Sequence, residues 1–370
     1  MSSAVIATAR RNRLLQSMAE ADVDLLVVYG NAWQGDYLRY ATDYGILEGE
    51  GLALIRCDGN TTLFLDSPLE TERAAVETSG IEIVYAPAML KEVESILERS
   101  GNSHIGTAPK RLMPQRLAAR TKDLGLTDST TMIDRLLMKK LDCEIAAMRA
   151  AAHMADDGYQ VFRNAARVGR VDYELVAEVE GFFRAHGVDD NFMIIGVGGK
   201  EVRGMAPPMG KRLKPGDLVT TELTPCVNGY YLQICRTLVV GEPSPAQHTA
   251  FSIYRDALEA GLAVVKPGIT AADIARAENE IFRRHGLGDY VTDAYTRVRG
   301  HGLGLFVDTK PHILEDVTTP IESGMTMIVH PNTYHRDVGY MVLGDALIVT
   351  ATGADVLTRT PRELFSVPAN

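Results

Sequence analysis

The sequence predicts a two-domain protein, with a smaller α/β domain over residues 1–134 and a larger α+β domain over residues 135–370. Three observations support this fold class. The length of 370 residues favours two domains, or one large α/β domain with an appendage. Short apolar runs alternate with helical patterns in the first third of the chain. From Asp142 onward, pairs of amphipathic helices alternate with strand-like segments.

The first domain is predicted from its strands. The apolar run Asp24–Tyr29 is typical of a buried strand. Gly51–Arg56 and Thr61–Leu65 flank an Asp-Gly turn, which indicates a β-hairpin. A helical segment at Glu70–Thr78 and a further strand at Ile81–Tyr85 follow, and this alternation favours a small α/β domain.

The second domain begins with a long helix, because apolar residues recur every three or four positions over residues 145–162. A second helix ends at His186-Gly187, a third begins at a Ser244 cap, and a fourth opens with a capping box at Thr270. A helix pair followed by strands therefore occurs twice, which indicates an internal duplication, although no repeat of individual residues is visible.

Composition excludes some classes of function. The formal charge of −10 disfavours nucleic acid and anionic membrane as partners, and no apolar run is long enough to cross a membrane. The N-terminus lacks the apolar stretch of a secretory signal. The four cysteines show no C-x-x-C spacing, so we expect buried free thiols and a cytoplasmic protein.

The first candidate site lies on a predicted hairpin. Asn228-Gly229 is a strong signal for a two-residue turn. Such a turn places Glu222 opposite Cys235 and diagonal to Gln233, so the two polar side chains share one face of the hairpin. From the hairpin alone, that face could line a pocket or could meet solvent.

Two histidines and an aspartate complete the candidates. Glycines flank His301 on both sides, as in a ligand-binding loop or in a simple glycine-rich turn. His330 ends a strand just before a proline, where a histidine is either a catalyst or a buried structural residue. Asp345 interrupts an apolar strand and is either a site acid or a turn residue.

Read in order, these segments resemble the creatinase/aminopeptidase P family, whose fold is called pita-bread. The similarity covers roughly residues 10–360. It implies an α+β pita-bread C-terminal domain preceded by a smaller α/β creatinase-type N-terminal domain. The residues that fit the family pattern are Gly229-Tyr230, Arg236-Thr237, Gly300-His301-Gly302-Leu303-Gly304, Gly324-Met325, Pro331 and the entry helix around 136–148.

The resemblance also shows where this chain departs from the family. The family holds two metal ions with two aspartates, one histidine and two glutamates. The corresponding positions here carry Glu222, Gln233, His301, His330 and Gly344. Because neither Gln233 nor Gly344 supplies a bridging carboxylate, we expect no dinuclear centre. We predict no metal and no other cofactor, with a single ion on His301, His330 and Glu222 as the alternative.

Two members of the family that differ in chemistry are informative. Creatinase works without metal and uses a histidine where this chain has Met205, so creatine hydrolysis is not expected. Ectoine hydrolase resembles this chain in its glutamate at the position of Glu222. Asp308 replaces a family histidine, and the guanidinium of Arg203 is suited to a substrate carboxylate; the alternative is that Arg203 is an exposed loop arginine. The predicted substrate-binding residues are Arg203, Gln233, Asp308, Tyr231, Trp33 and Asp345.

Three classes of function follow from these residues. The first is a metal-independent hydrolase of a small-molecule C–N bond (amide, amidine or cyclic amidine), with His301, His330 and Glu222 as acid–base catalysts. The second is a mononuclear metal-dependent hydrolase or lyase that uses the same residues. The third is a non-catalytic pita-bread binding protein. We expect the first, with a small-molecule substrate and neither nucleic acid nor membrane as a partner.

The family resemblance further implies a homodimer in which the N-terminal domain of one subunit helps to close the site of the other. The loop after the first predicted strand contains Trp33, the only tryptophan in the chain, together with Tyr37. Aromatic residues on such loops are frequent in interfaces. We therefore expect Trp33 or Tyr37 to lie near the pocket of a second subunit; the alternative is that Trp33 packs within its own domain.

Overall fold

The computed structural model describes residues 3–101 and 103–369, and it divides into two compact units. The first unit is Met1–Glu144 and the second is Ile145–Asn370. The first unit extends beyond the predicted boundary at residue 134 because its last residues pack into it. The buried Arg10 donates from Nε to Glu144 Oε1 over 3.0 Å, which ties the end of the unit to its first helix.

The first unit is built on a six-stranded mixed sheet. Its strands are β1 Leu25–Asn31, β2 Glu50–Arg56, β3 Thr61–Leu65, β4 Glu82–Tyr85, β5 Ile105–Ala108 and β6 Leu126–Asp128. Its helices are α1 Ser3–Glu20, α2 Asp36–Thr42, α3 Pro68–Glu77, α4 Met89–Arg99, α5 Gln115–Ala119 and α6 Thr130–Met138. The spatial order of the strands is β4-β3-β2-β1-β5-β6. The four predicted strands and the predicted hairpin are confirmed as β1 to β4.

The core of this unit includes the central strand β1, which is buried along almost its whole length. Leu25, Val27 and Tyr29 belong to one apolar cluster with Val93 and Leu97 of α4. A strand in the middle of a covered sheet needs apolar side chains on both faces. This explains why β1 is a continuous apolar run rather than an alternating one.

The second unit contains the predicted pairs of helices and the strands that follow them. Its helices are α7 Asp142–Ala165, α8 Asp172–Ala185, α9 Pro245–Val264 and α10 Ala271–Arg284. The strands after the first pair are β7 Asp190–Gly198, β8 Leu218–Val227, β9 Tyr230–Tyr231 and β10 Ile234–Val240. The strands after the second pair are β11 Gly300–Gly302, β12 Thr309–His312, β13 Thr326–Val329, β14 Thr333–His335, β15 Gly339–Met341, β16 Asp345–Val349, β17 Ala354–Val356 and β18 Phe365–Val367.

These strands form two five-stranded sheets and one small hairpin. The first sheet has the order β18-β10-β8-β7, with β9 paired to β8, and the second has the order β12-β11-β13-β16-β17. Strands β14 and β15 pair with each other. The α+β fold class predicted for this part of the chain is confirmed.

The hairpin of β8 and β10 forms as predicted from its turn. Asn228 and Gly229 have φ values of 51° and 78°, which are the two left-handed residues that a type I′ turn requires. The turn sets the register, and Cys235 pairs directly with Glu222. The predicted placement of Glu222 opposite Cys235 is therefore confirmed.

None of the four cysteines, which all lie in the described part of the chain, forms a disulfide, as expected. Cys226 and Cys235 are buried, whereas Cys57 is exposed, so the expectation of burial is wrong for that residue. Within residues 3–101 and 103–369, no helix is long and apolar enough to cross a membrane.

Helix α10 buries a carboxyl group inside the second unit. Glu278 has no exposed surface, and neither of its carboxyl oxygens has a hydrogen-bond partner among residues 3–101 and 103–369. Its Cγ packs on α9 at Gly261, where a Cβ would approach within 2.7 Å. Burial raises the pKa of Glu278 well above its ordinary value, and the charge of Arg299 offsets this only in part.

Glu278→Gln should therefore stabilise the protein at neutral pH, because glutamine keeps the shape of the side chain without its charge. A carboxyl group whose pKa is raised on folding destabilises the fold as pH rises above the unfolded pKa, here 4.5. The gain over wild type should be absent below about pH 4, should grow by about 1.4 kcal/mol per pH unit above it, and should stop growing once the pH passes the raised pKa of the folded state.

Urea unfolding at a series of pH values measures this gain. Glu280→Gln is the matched control, because Glu280 lies on the same helix, is half exposed and pairs with Arg284. If Glu278→Gln and wild type have equal free energies of unfolding at every pH, the buried carboxyl group does not destabilise the fold, and the prediction is wrong.

Candidate active site

The two sheets of the second unit meet at one backbone bridge, and the candidate residues surround it. Cys235 and Gly344 exchange hydrogen bonds, with Cys235 N donating over 3.2 Å and Gly344 N donating over 3.0 Å. Glu222 pairs with Cys235 on the first sheet. On the second sheet, His330 follows the end of β13, and His301 lies on β11, which pairs with β13. Residues far apart in the sequence are thus brought to one place by strand pairing.

Packing at the bridge leaves no room for a side chain at position 344. A Cβ built on Gly344 would lie 2.6 Å from the Cβ of His330, 3.1 Å from the backbone oxygen of Val329 and 3.2 Å from the Cβ of Cys235. Real Cβ atoms do not approach a neighbouring Cβ this closely, so a larger residue would require the strands to move apart. The space at position 344 is occupied by the histidine and cysteine side chains.

His301 lies on strand β11, between its neighbouring strands β12 and β13, rather than on an open loop. A Cβ on Gly300 would meet Ile328 O at 2.0 Å, and one on Gly302 would meet Lys310 O at 2.1 Å. The flanking glycines therefore allow the backbones on both sides to approach. They present His301 on a tightly packed strand, with its ring almost fully buried.

The two histidine rings lie next to each other and are both neutral at neutral pH. Their centroids are 5.6 Å apart in an edge-to-face arrangement. Burial lowers the pKa of His301, and burial together with the neighbouring His301 lowers the pKa of His330 to about 3. Two buried imidazoles in contact would repel each other if charged, so each ring offers a lone pair on one nitrogen.

The tautomer of His301 follows from its backbone contact. His301 Nδ1 lies 3.0 Å from Gly302 O, and because a carbonyl oxygen can only accept, Nδ1 carries the proton. Nε2 is then the nitrogen with the lone pair. In His330, Nδ1 is buried and has no hydrogen-bond partner within the described part of the chain. A buried nitrogen without a partner is unusual outside a functional site.

Glu222 is held in place by Asn332, a residue that our sequence analysis missed. Asn332 Oδ1 accepts from the backbone N–H of Leu343 over 3.1 Å, which fixes the orientation of the amide. Asn332 Nδ2 then donates to Glu222 Oε1 over 2.7 Å. Burial raises the pKa of Glu222 to about 7, although hydrogen bonds from Cys235 and Asn332 oppose this change. The one sequence feature that could have pointed to Asn332 is its position two residues after the candidate His330.

A buried arginine, Arg299, holds the backbone of Asn332 through a hydrogen bond. Arg299 has no exposed surface and donates from Nη1 to Asn332 O over 2.8 Å. Its Nε donates to Asn279 Oδ1 over 2.5 Å, and its Nη2 donates to Thr296 O over 2.7 Å. A planar guanidinium with several fixed acceptors holds the backbone rigidly. Arg299 therefore sets the path of the chain between His330 and Asn332.

Three of the predicted substrate-binding residues have protein partners. Gln233 is buried, and its Nε2 lies 3.4 Å from Cys235 Sγ. The hydroxyl group of Tyr231 donates to Asp190 Oδ2 over 2.8 Å. Asp345 is buried between two arginines: Oδ1 accepts from Arg236 over 2.7 Å, and Oδ2 accepts from Arg362 over 2.5 Å. These ion pairs account for the charge of Asp345 without a substrate.

The other three predicted substrate-binding residues are more accessible to solvent. Arg203 is exposed, and its guanidinium lies 5.9 Å from the ring centroid of Tyr295 and 5.6 Å from that of Tyr334. Asp308 lies beside the site, with Oδ1 3.8 Å from His301 Nδ1. Trp33 belongs to the first unit, and its side chain is 87% exposed. The structure thus brings Asp308 to the histidines and leaves Trp33 open to solvent.

Comparison with known proteins identifies the class of enzyme to which this fold and site belong. Residues 146–351 match the model of the metallopeptidase family M24, and residues 10–138 match the creatinase/prolidase N-terminal domain. The chain therefore belongs to the M24 family, a family of hydrolases, and the predicted resemblance to creatinase and aminopeptidase P is confirmed.

Individual relatives give the same assignment. The Xaa-Pro dipeptidase of Pyrococcus furiosus is 30% identical over 317 residues, which is 85% of this chain and 89% of that protein. An uncharacterized peptidase of Bacillus subtilis is 27% identical over 334 residues, 89% of this chain and 92% of the relative. The structure of an Xaa-Pro dipeptidase from Bacillus anthracis has a TM-score of 0.84 at 25% identity and covers 98% of this chain and 100% of its own.

The predicted function is wrong in its main form. We expected a metal-independent hydrolase of a small-molecule amide or amidine. The family that matches is one of metallopeptidases, and the relatives are named as dipeptidases, which act on peptide bonds. The residues that suggested acid–base catalysis without metal, two imidazoles and a carboxylate, are equally a metal-binding set, so their identity alone could not separate the two chemistries.

Gly344→Ala tests the close packing at the bridge. Because the added Cβ would meet the His330 Cβ at 2.6 Å, the strands must separate, and we expect a loss of about 1–3 kcal/mol in the free energy of unfolding. Urea denaturation measures the loss. Gly181→Ala is the control, since Gly181 lies within α8 with nothing near its Cβ position and should be neutral or stabilising. Equal stability of Gly344→Ala and wild type would contradict the packing.

Proposed function

We propose that this protein is a metal-dependent hydrolase of the C–N bond in a small peptide, and that it works with one divalent ion rather than two. The observation that carries the proposal is the convergence of Glu222, His301 and His330 at the Cys235–Gly344 bridge in a member of a metallopeptidase family. The names of the relatives, Xaa-Pro dipeptidases, support a dipeptide as the substrate.

The restriction to one ion rests on the two bridging positions. Two divalent ions a few ångströms apart repel each other and need bridging carboxylates between them. At those positions this chain has Gln233 and Gly344. Gln233 is a neutral amide packed against Cys235, and position 344 has no space for a glutamate in the present packing. The residues present do not fit a dinuclear centre.

A single ion suits the donor chemistry of the site. Two imidazoles and one carboxylate are a common ligand set for zinc, iron or manganese. His301 Nε2 has a free lone pair by its tautomer, and His330 Nδ1 is buried without a hydrogen-bond partner among the residues that the structure describes. When bound, the ion would supply Lewis-acid polarisation of the scissile carbonyl group.

The ion would not be held tightly. Among residues 3–101 and 103–369, no three His, Cys, Asp or Glu side chains are already grouped to hold a metal ion. Asn332 Nδ2 donates to Glu222 Oε1, so this hydrogen bond competes with an ion for that oxygen. Exchange of a 2.7 Å hydrogen bond for a metal contact reduces the net gain on binding.

Arg203 is suited to the carboxylate of a dipeptide. Its loop packs on the β14–β15 hairpin, where Tyr340 N donates to Val202 O over 3.0 Å and the Tyr334 hydroxyl donates to Lys200 O over 2.9 Å. That hairpin directly follows His330. The rings of Tyr295 and Tyr334 support the guanidinium from one side and leave its donors open to solvent.

Hydrolysis of glycyl-proline with and without added manganese or zinc tests the proposal, together with elemental mass spectrometry of the purified chain. We expect activity that depends on added metal and less than one tightly bound ion per chain. His301→Ala and His330→Ala should each lower turnover by about 10²–10⁴-fold, the range of a group used directly in chemistry. His285→Ala, at the exposed end of α10, should behave like wild type.

Two tightly bound ions per chain would contradict the single-ion site. Activity that survives a chelator, or undiminished turnover in both histidine variants, would rule out metal-dependent catalysis at these residues.

We also propose that the protein forms a homodimer through the loop that carries Trp33. Asn31 Oδ1 accepts from the backbone N–H groups of Trp33 and Gln34, both over 2.9 Å, so the loop is ordered while the indole ring is 87% exposed. An ordered and exposed tryptophan is typical of an interface.

Light scattering on wild type and Trp33→Ala tests this assembly. We expect a dimeric wild type and a shift of Trp33→Ala towards the monomer at low micromolar concentration. Val76→Ala is the matched control, because Val76 is also 87% exposed but lies on α3. A monomeric wild type, or equal assembly of all three proteins, would exclude the proposed interface.

The lack of a disulfide among the four cysteines, all within the described residues, supports a further part of the proposal, that the enzyme works in the cytoplasm. Free cysteines persist in a reducing compartment, whereas secreted proteins commonly pair them.

A further inference from the structure

An open cleft of about 520 Å³ lies in a part of the second unit that the proposed function does not use. One wall is helix α9, through Arg255 and Glu259, and the other is the segment between β17 and β18, over residues 358–363. Asp345, which is almost fully buried, lies at the base of the cleft. The volume is sufficient for a small molecule.

The wall formed by the segment before β18 is held in place by hydrogen bonds. Asp156 of α7 accepts from the backbone N–H groups of Arg359 and Thr360, both over 2.8 Å, and from Thr360 Oγ1 over 2.6 Å. Thr360 O accepts from Nη2 of the buried Arg236 over 2.6 Å. The wall is therefore ordered without a ligand, which lowers the entropic cost of binding one.

The base of the cleft carries an excess of positive charge. Asp345 lies between two guanidinium groups: Oδ1 accepts from Arg236 over 2.7 Å, and Oδ2 accepts from Arg362 over 2.5 Å. One carboxylate is thus shared by two cations, and Arg236 has no exposed surface. Charges interact strongly where water is excluded, so the base favours an anionic group in the cleft.

Arg362 supplies donors that such an anionic group could use. Its Nε donates to Asp345, which fixes the guanidinium, and its side chain is 29% exposed. Neither Nη1 nor Nη2 has a hydrogen-bond partner among residues 3–101 and 103–369, and neither atom is buried. Two terminal N–H groups of one planar guanidinium match the two oxygens of a carboxylate.

The rim of the cleft carries charges of both signs. Within the described part of the chain, the side chains of Arg359, Glu259 and Glu363 have no ion-pair partner, and Arg255 lies 3.9 Å from the adjacent Asp256. The two rim glutamates disfavour phosphate and other multiply charged anions, whereas they suit an ammonium group. The cleft is therefore matched to a ligand with one carboxylate and one ammonium group.

We propose that this cleft is a binding site for a free amino acid, with the carboxylate of the ligand on Arg362 and its ammonium group on Glu259 and Glu363. The cleft is separate from the candidate active site, because none of Glu222, His301 and His330 lines it. The inference does not depend on the proposed hydrolysis. A ligand that lacks either charged group loses one of the two sets of charge-assisted hydrogen bonds.

Calorimetry at neutral pH with L-alanine, propionate and ethylamine tests the site, because the last two each lack one charged group of alanine. We expect wild type to bind alanine about tenfold more tightly, or better, than propionate or ethylamine. Glu259→Gln should lower the affinity for alanine towards that for propionate, without weakening propionate itself. Arg362→Gln should weaken alanine and propionate by about tenfold and leave ethylamine unchanged.

Matched controls separate this cleft from other charged groups and from the candidate active site. Arg284→Gln and Glu280→Gln remove the same two groups from an exposed ion pair on α10, and both variants should bind alanine like wild type. His330→Ala should also bind alanine like wild type. Circular dichroism checks that each variant is folded; if Arg362→Gln is not, Glu259→Gln decides, because that side chain has no ion-pair partner to lose within the described residues.

Equal affinities of wild type for alanine and propionate would overturn the inference, and so would unchanged binding of alanine in Glu259→Gln. Loss of alanine binding in His330→Ala would place the amino acid in the candidate active site and would overturn the inference as well.

Discussion

The clamp that Arg236 makes across two sheets is the interaction on which the candidate site depends. This arginine has no exposed surface and donates to the backbone oxygens of Cys235 and Gly344, the two partners of the bridge, over 2.9 Å and 2.7 Å. Its second terminal nitrogen pairs with Asp345 over 2.7 Å. Removal of one partner from such a buried pair costs about 3–5 kcal/mol, because the other charge is left uncompensated. The clamp thus fixes the distance between β10, which pairs with the strand of Glu222, and β16, which pairs with the strand that precedes His330.

That fixed distance explains the chemistry of the neighbouring residues. With the sheets held this close, the bridge admits a glycine at position 344 and fills the remaining space with His330 and Cys235. A buried and crowded pocket then favours neutral groups: it lowers the pKa of both histidines and raises that of Glu222 to about 7. A site with so little fixed negative charge is a poor match for two divalent cations and a better one for a single ion, in line with our proposal.

The parts of the site that could be predicted from the sequence are those set by local geometry. The Asn228-Gly229 turn determines its own φ values, and the register that places Glu222 opposite Cys235 follows from the turn. The partners of Asp345 could not be found in this way, because Arg236 lies 109 positions away in the chain. Asn332 was missed for the same reason: its role depends on Glu222, 110 positions earlier. Pairs so far apart are determined by the sheet topology and have no periodic signal.

The contrast between the two carboxylates next to the histidines brings these points together. Glu222 is partly buried and accepts a hydrogen bond from Asn332 Nδ2, and desolvation raises the pKa of its carboxyl group to about 7. Asp308 is half exposed and stays ionised, so it contributes a constant charge at the rim. Burial thus gives one of these carboxyl groups a raised pKa, whereas the contact with His312 keeps the other ionised. The difference in burial between two carboxyl groups on neighbouring sheets is therefore sufficient to set their pKa values apart.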